Sequence, residues 1–250
     1  MEIIATTKFS VYDYAIVSAN EHHSNALLIH LQSLQKEGFV ILQEFISEND
    51  QLALRTAFHK LLSSIQTNYD PTDDSFETLN KEVWNITRLP RIGNGKHNIH
   101  FDAFESQHHA ILAEFVQTSG VLHLLQTYLE GTVQLRETGL SATRPFLNGV
   151  SGEGMEWHSD GSAGECTMLM SLHDISPTTG SLCISPASHL EYKLGKGHTS
   201  IDCEAHDRRM LISPYQSGAP VIIDARTLHK VTPNYSARWR FVVWFIFDSY

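Results

Sequence analysis

The sequence predicts a mainly β protein with flanking α-helices: a double-sheet jelly roll or barrel whose one sheet is covered by helices from the N-terminal part. Two observations predict it. After Gly131, short β-type runs alternate with turns, at 132–135, 154–158, 167–172, 182–184, 220–223 and 238–247. Pro177-Thr-Thr-Gly180 and Pro233-Asn-Tyr-Ser236 supply turn signals between them. Before Gly131, apolar residues recur mostly at helical spacing. With 250 residues, 42% of them hydrophobic and 10% aromatic, the chain is long enough and apolar enough for one β domain without disulfide staples. The expected organisation is one domain over 1–250, with a helical part to about 130 and a jelly-roll core from about 131.

Taken in order, Ser24 is placed to cap a helix with Leu27, Leu28, Leu31 and Leu34 on its apolar positions, and Gly38 ends it. Residues 39–42 form a short apolar run of strand type. Ser47-Glu-Asn-Asp50 is a capping-box signature opening a second helix, with Leu54, Ala57, Phe58 and Leu61 on one face. Residues 68–75 and the region of Gly93 and Gly95 read as loops, and 106–129 reads as helix broken at Gly120. The stretch 190–218 is long for a connection and suits a lid or irregular insertion.

Composition excludes several classes of function. Eighteen Lys+Arg against 28 Asp+Glu give a net charge of −10, the wrong sign for a nucleic-acid binder. The longest apolar run, Phe241 to Phe247, is too short to span a bilayer, and no signal-peptide pattern follows Met1. The three cysteines, Cys166, Cys183 and Cys203, are an odd number with no CxxC, which argues against a disulfide framework or a thiolate zinc site. A reduced cytoplasmic location is the expectation.

The chain has 15 histidines, so number alone carries nothing. Trp157-His158-Ser-Asp160 is the sharpest local feature. On a strand, residues i and i+2 share a face, so His158 and Asp160 would aim an imidazole and a carboxylate at one point. That is two-thirds of a 2-His-1-carboxylate triad, the arrangement that holds non-haem Fe(II) with open positions. The bland alternative is a polar pair at a strand end. His229, at the end of a second β-type run, can supply the third ligand in a jelly roll, where distant strands lie side by side; otherwise it caps its strand. On the 238–247 run, Arg238, Arg240, Val242, Trp244 and Ile246 share one face, and Trp239, Phe241, Val243, Phe245 and Phe247 the other. Both faces are largely apolar, which marks a central strand. An arginine in such surroundings needs an anion, and guanidinium grips a carboxylate bidentately; the alternative is a structural Asp or Glu partner.

Together these residues resemble the phytanoyl-CoA dioxygenase family. The likeness rests on His158-Ser-Asp160, the distal His229 and Arg240 beyond it. It extends to Glu37-Gly-Phe-Val-Ile-Leu, to the run from Leu172 through Gly180 and Leu182 to Pro186-Ala-Ser-His189, and to the strand, histidine, Pro-Asn turn and arginine between Gly218 and Arg240. It covers roughly residues 36–247. The family's Pro-Gly-Ser-His is Pro186-Ala-Ser-His189 here, and its upstream lysine is Arg144.

The resemblance implies a double-stranded β-helix, cupin-like core and an Fe(II)- and 2-oxoglutarate-dependent dioxygenase. His158, Asp160 and His229 would hold the iron, and Arg240 the distal carboxylate of 2-oxoglutarate. O₂ would be consumed, succinate and CO₂ released, and a C–H bond of a small-molecule metabolite oxidised, with hydroxylation the default. Asp160 argues against halogenation, because related halogenases have a small residue there. The alternatives are a cupin-like metalloenzyme that does not use 2-oxoglutarate, for which Arg240 has no purpose, and a non-catalytic jelly-roll binding protein, for which the whole set has none. Arg238 is the rival of Arg240. Asp174 and His189 read as structural, at a strand end and in a turn. His97, His100 and Asp102 read as a polar segment at the rim or surface, His108 and His109 as solvated, and Cys183 as core.

Overall fold

The computed structural model describes residues 23–42, 49, 52, 56, 96–100, 116, 120–143, 157–171, 174–176, 178–191, 211–213, 219–232, 234–236 and 240–250. Helix α1 (His23–Glu37) already includes His23, so Ser24 lies in its first turn rather than at its cap. Leu34 is fully buried and Leu27 and Leu31 pack beside it, whereas Leu28, at the margin of that stripe, is 51% exposed. The helix ends at Gly38, whose φ of +80 suits glycine, and a Cβ there would strike the Thr227 hydroxyl and the His189 ring. Strand β1 (Phe39–Ile41) follows at once. Residues 49, 52 and 56 are helical, as the capping box predicts. Helix α2 (Val121–Leu129) starts just after Gly120, where the sequence places a break, and buries Val121, Leu124 and Leu125.

The remaining strands are β2 (Lys96–His100), β3 (Val133–Thr143), β4 (Glu165–Ser171), β5 (Leu182–Ile184), β6 (Leu211–Ser213), β7 (Pro220–Asp224), β8 (His229–Val231) and β9 (Arg240–Ser249), and a short helix α3 spans Ser188–Glu191. Among the described residues a six-stranded antiparallel sheet runs β1-β7-β4-β9-β3-β2, and a three-stranded sheet runs β6-β5-β8. His158 adds an isolated bridge on the free side of β8. From β3 onward the chain passes back and forth between the two sheets, which is the double-stranded β-helix expected. The N-terminal part is not purely helical: β1 and β2 form the two edges of the large sheet. The Lys96–His100 segment, expected as a polar stretch at the rim or surface, is one of those edge strands, pairing with β3.

β9 is central, between β4 and β3, and its two faces differ. Phe241, Val243, Phe245 and Phe247 are fully buried in one cluster with Leu34, Leu124, Leu125 and Met168, so this face lies under the helices. Leu169 faces the other way, toward a second cluster of Val221, Ile223, Leu182 and Ile184 between the two sheets. Trp244 is its cross-strand partner, which puts Arg240, Val242, Trp244 and Ile246 on the barrel interior. No helix among the described residues is long and apolar enough to cross a membrane. The expected loop at 68–75, the glycines 93 and 95, and Asp102, His108, His109, Arg144, His173, Cys203 and Arg238 lie outside the described residues, as does much of 190–218.

Candidate active site

The site begins with the bridge between His158 and His229. Each donates its backbone N–H to the other's carbonyl, at 3.0 and 2.9 Å. Directly opposed residues project side chains to the same face, and the two imidazole centroids lie 4.4 Å apart. Beyond His158 the chain leaves the ladder instead of continuing as a strand. Asp160 nevertheless keeps the i+2 orientation, because its N–H and that of Gly161 both donate to the Ala225 carbonyl, at 2.9 and 3.0 Å. Trp157 and Ser159, on the opposite side, are buried, and the Lys230 ammonium lies 4.7 Å from the Trp157 ring centroid.

The three side chains converge. His158 Nε2 is 3.6 Å from Asp160 Oδ1, and His229 Nε2 is 3.5 Å from Asp160 Oδ2. One donor atom from each lies within 4.8 Å of the others. Atoms each about 2.1 Å from a common divalent ion sit roughly 3–3.5 Å apart, so this spacing suits a shared metal better than hydrogen bonds between the groups. His229 Nδ1 lies 3.0 Å from the Thr227 carbonyl. A carbonyl only accepts, so Nδ1 carries a proton, which in the neutral ring leaves the Nε2 lone pair for a metal. Two imidazoles and one carboxylate on one side, with the Asp160 side chain still 24% exposed, leave room for further ligands. The donor set fits Fe(II).

Arg240 is buried at the start of β9, and its Nη1 donates to the Gly180 carbonyl. Gly180 has a φ of +94, and a Cβ there would collide with Arg240 Nη1 and the Thr232 carbonyl. Thr232 bonds back to Ser181. The guanidinium therefore stands at the level of Thr232, three residues along from His229, roughly 10 Å at strand rise.

The residues read as structural lie away from the three converging side chains, and His189, expected in a turn, is in the short helix α3. Asp174 is exposed just past β4. His189 is buried in α3 and lies 3.2 Å from the Gln35 carbonyl through Nε2, outside the triad. Burial holds its pKa below the ordinary histidine value. Cys183 is fully buried. Ser188 contributes more than a turn: its hydroxyl donates to the Ser185 carbonyl at 2.7 Å and accepts the Leu228 N–H at 2.8 Å, tethering the residue before His229. Ala187, where the resembled family has glycine, adopts a φ of +61.

Sequence reasoning missed Asp224. It is 1% exposed, accepts both Arg226 Nε and the Arg226 backbone N–H at 2.9 Å, Arg226 Nη2 at 2.7 Å, and the Tyr128 hydroxyl at 2.7 Å. Burial and the Asp224 charge push the Tyr128 phenol well above its ordinary range, so it stays a donor. Burial raises the neighbouring Cys166 thiol as well. The Asp-x-Arg spacing at the end of β7 was the available signal for the ion pair.

A model of the phytanoyl-CoA dioxygenase (PhyH) family matches residues 34–242, most of the chain. The chain belongs to this family. Solved structures of similar fold include proteins described as alpha ketoglutarate dependent or complexed with 2-oxoglutarate. SnoN, the non-heme alpha ketoglutarate dependent epimerase from nogalamycin biosynthesis, is 15% identical with a TM-score of 0.65, over 90% of this chain and 84% of that one. EctD from S. alaskensis, solved with 2-oxoglutarate and 5-hydroxyectoine, is 16% identical with a TM-score of 0.66, over 95% and 81%. EvdO2 from Micromonospora carbonacea var. aurantiaca, complexed with 2-oxoglutarate, is 16% identical with a TM-score of 0.62, over 94% of both chains. Comparison with curated protein sequences finds no match. As a member of the phytanoyl-CoA dioxygenase family the protein is a 2-oxoglutarate-dependent dioxygenase that works with Fe(II).

Proposed function

We propose that His158, Asp160 and His229 hold Fe(II), that Arg240 holds the distal carboxylate of 2-oxoglutarate, and that the enzyme hydroxylates a C–H bond of a small-molecule metabolite. The observation that carries this reading is the approach of three donor atoms within 4.8 Å at the free side of β8. Bound there, Fe(II) would supply O₂ activation coupled to oxidative decarboxylation, with 2-oxoglutarate, O₂ and R–H giving succinate, CO₂ and R–OH.

The chain's own residues do the rest. Asp160 offsets part of the metal's charge, and the Thr227 carbonyl fixes the His229 ring. Arg240, held by Gly180, presents a cation to a dianionic cosubstrate along the barrel axis. Leu169, Val242, Trp244 and Ile246 give the barrel interior a largely apolar lining. A full carboxylate ligand leaves no position for halide. Proteins of similar fold include an epimerase and a carbocyclase, so the same scaffold serves several outcomes. Our reading is hydroxylation by one catalytic domain spanning 1–250. A cytoplasmic setting is part of the proposal, in keeping with a sequence of three cysteines and no CxxC.

The test is turnover. With Fe(II), 2-oxoglutarate and O₂, the wild type forms succinate, and a substrate found by screening metabolites gains one oxygen by mass spectrometry. Asp160→Ala abolishes both. Full iron-dependent succinate formation by Asp160→Ala would overturn the ligand assignment, and a product without added oxygen would overturn hydroxylation.

A further inference from the structure

The turn between β7 and β8 does more than reverse the chain. Two of its carbonyls orient two of the three candidate ligands. Ala225 O receives the N–H groups of Asp160 and Gly161, and Thr227 O receives His229 Nδ1–H. The turn itself is held from one point. The Asp224 carbonyl accepts the Thr227 N–H at 2.8 Å, and its carboxylate accepts the Arg226 N–H and the Arg226 guanidinium fork. The second carboxylate oxygen is shared with the Tyr128 hydroxyl, which arrives from α2, 96 residues away in sequence. Thr227 Oγ1 completes the attachment by donating to the Gly38 carbonyl at 2.9 Å.

A buried carboxylate carries a large desolvation penalty, and here four donors converge on the Asp224 carboxylate, three from Arg226 in the same turn and one from Tyr128. The fully buried Phe247 and Ile222 beside it already stabilise this corner of the sheet by apolar packing. What the ionic cluster adds is a fixed direction for the Ala225 and Thr227 carbonyls.

We infer that Asp224, clamped by Arg226 and Tyr128, is a positioning residue that sets the geometry of the metal centre through the 224–227 turn, linking α2 to the ligands. This rests on the assignment of His158, Asp160 and His229 as ligands. Loss of groups that orient metal ligands typically weakens metal binding by about ten- to a hundredfold.

The test measures Mn(II) affinity of the full chain by electron paramagnetic resonance, and the visible ligand-field spectrum of its Co(II) form, at a temperature where circular dichroism shows every variant folded. Asp224→Asn is expected to lower Mn(II) affinity about ten- to a hundredfold and to shift the Co(II) bands. Tyr128→Phe keeps the Arg226 pair and is expected to shift both readouts less, in the same direction, and it stands in if Asp224→Asn does not fold. His229→Ala separates the two levels. If it loses Mn(II) binding while Tyr128→Phe and any folded Asp224→Asn match the wild type in affinity and Co(II) spectrum, the positioning role is wrong and the ligand assignment stands. If His229→Ala binds Mn(II) as the wild type does, the ligand assignment fails and the inference falls with it.

Discussion

The two sheets divide the labour. The large sheet contains the two longest strands, β3 and β9, and β9 places Phe241, Val243, Phe245 and Phe247 under two helices with no exposure. The small sheet has strands of three residues, and its candidate ligands sit where the ladder gives out: His158 in an isolated bridge, Asp160 in irregular chain, His229 at the first position of β8. Stability resides in apolar packing on the first. Geometry on the second comes from the Ala225 and Thr227 carbonyls, which bond the Asp160 N–H and the His229 ring, with the Ser188 hydroxyl holding the Leu228 N–H beside His229.

Substitutions sharpen this division, in descending order of effect. His229→Ala is expected to cut iron-dependent succinate formation by more than about a hundredfold while leaving the apo melting temperature within a few degrees. An apo protein that unfolds instead would show that the small sheet carries stability too. Phe245→Ala does the reverse, destabilising the fold by about 3–5 kcal/mol in denaturant titration, with the affinity for Fe(II) kept in the folded fraction. Arg240→Ala is expected to raise the KM for 2-oxoglutarate by roughly 30-fold or more, the cost of removing one member of a buried charge pair, with Fe(II) affinity unchanged. Ala187→Gly relieves the left-handed φ of +61 and is expected to stabilise by about 1 kcal/mol, read from the urea midpoint.

The mildest effect is on pH. Burial lowers the pKa of both His30 and His189 below the ordinary histidine value. The unfolded chain then binds more protons than the folded one once pH drops beneath about 6.5, so stability is full above that pH and declines below it. The melting temperature should follow that course, with a shallower acid slope in His30→Leu.

Much of this was legible in the sequence, for identifiable reasons. The β9 pattern announced itself because both faces are buried, so apolar residues run without a break. His158 and Asp160 were legible because alternation survives the loss of regular pairing, through the Ala225 carbonyl. β2 was not: Lys96-His-Asn-Ile-His100 is an edge strand whose polar residues give no hydrophobic period. The Ser24 cap failed because a good capping residue is also tolerated inside a first turn. The Tyr128–Asp224 contact was invisible because a hydrogen bond across 96 residues leaves no local pattern.

The central claim is that one ferrous ion and one 2-oxoglutarate meet between His158, Asp160, His229 and Arg240. The most direct measurement adds Fe(II) and 2-oxoglutarate to the protein without oxygen and follows the visible iron-to-ketoacid charge-transfer band. The expected result is a band in the wild type that is absent in His229→Ala and needs far more 2-oxoglutarate in Arg240→Ala. A wild type that binds Fe(II) yet shows no band, or a His229→Ala protein that shows it undiminished, would contradict the claim.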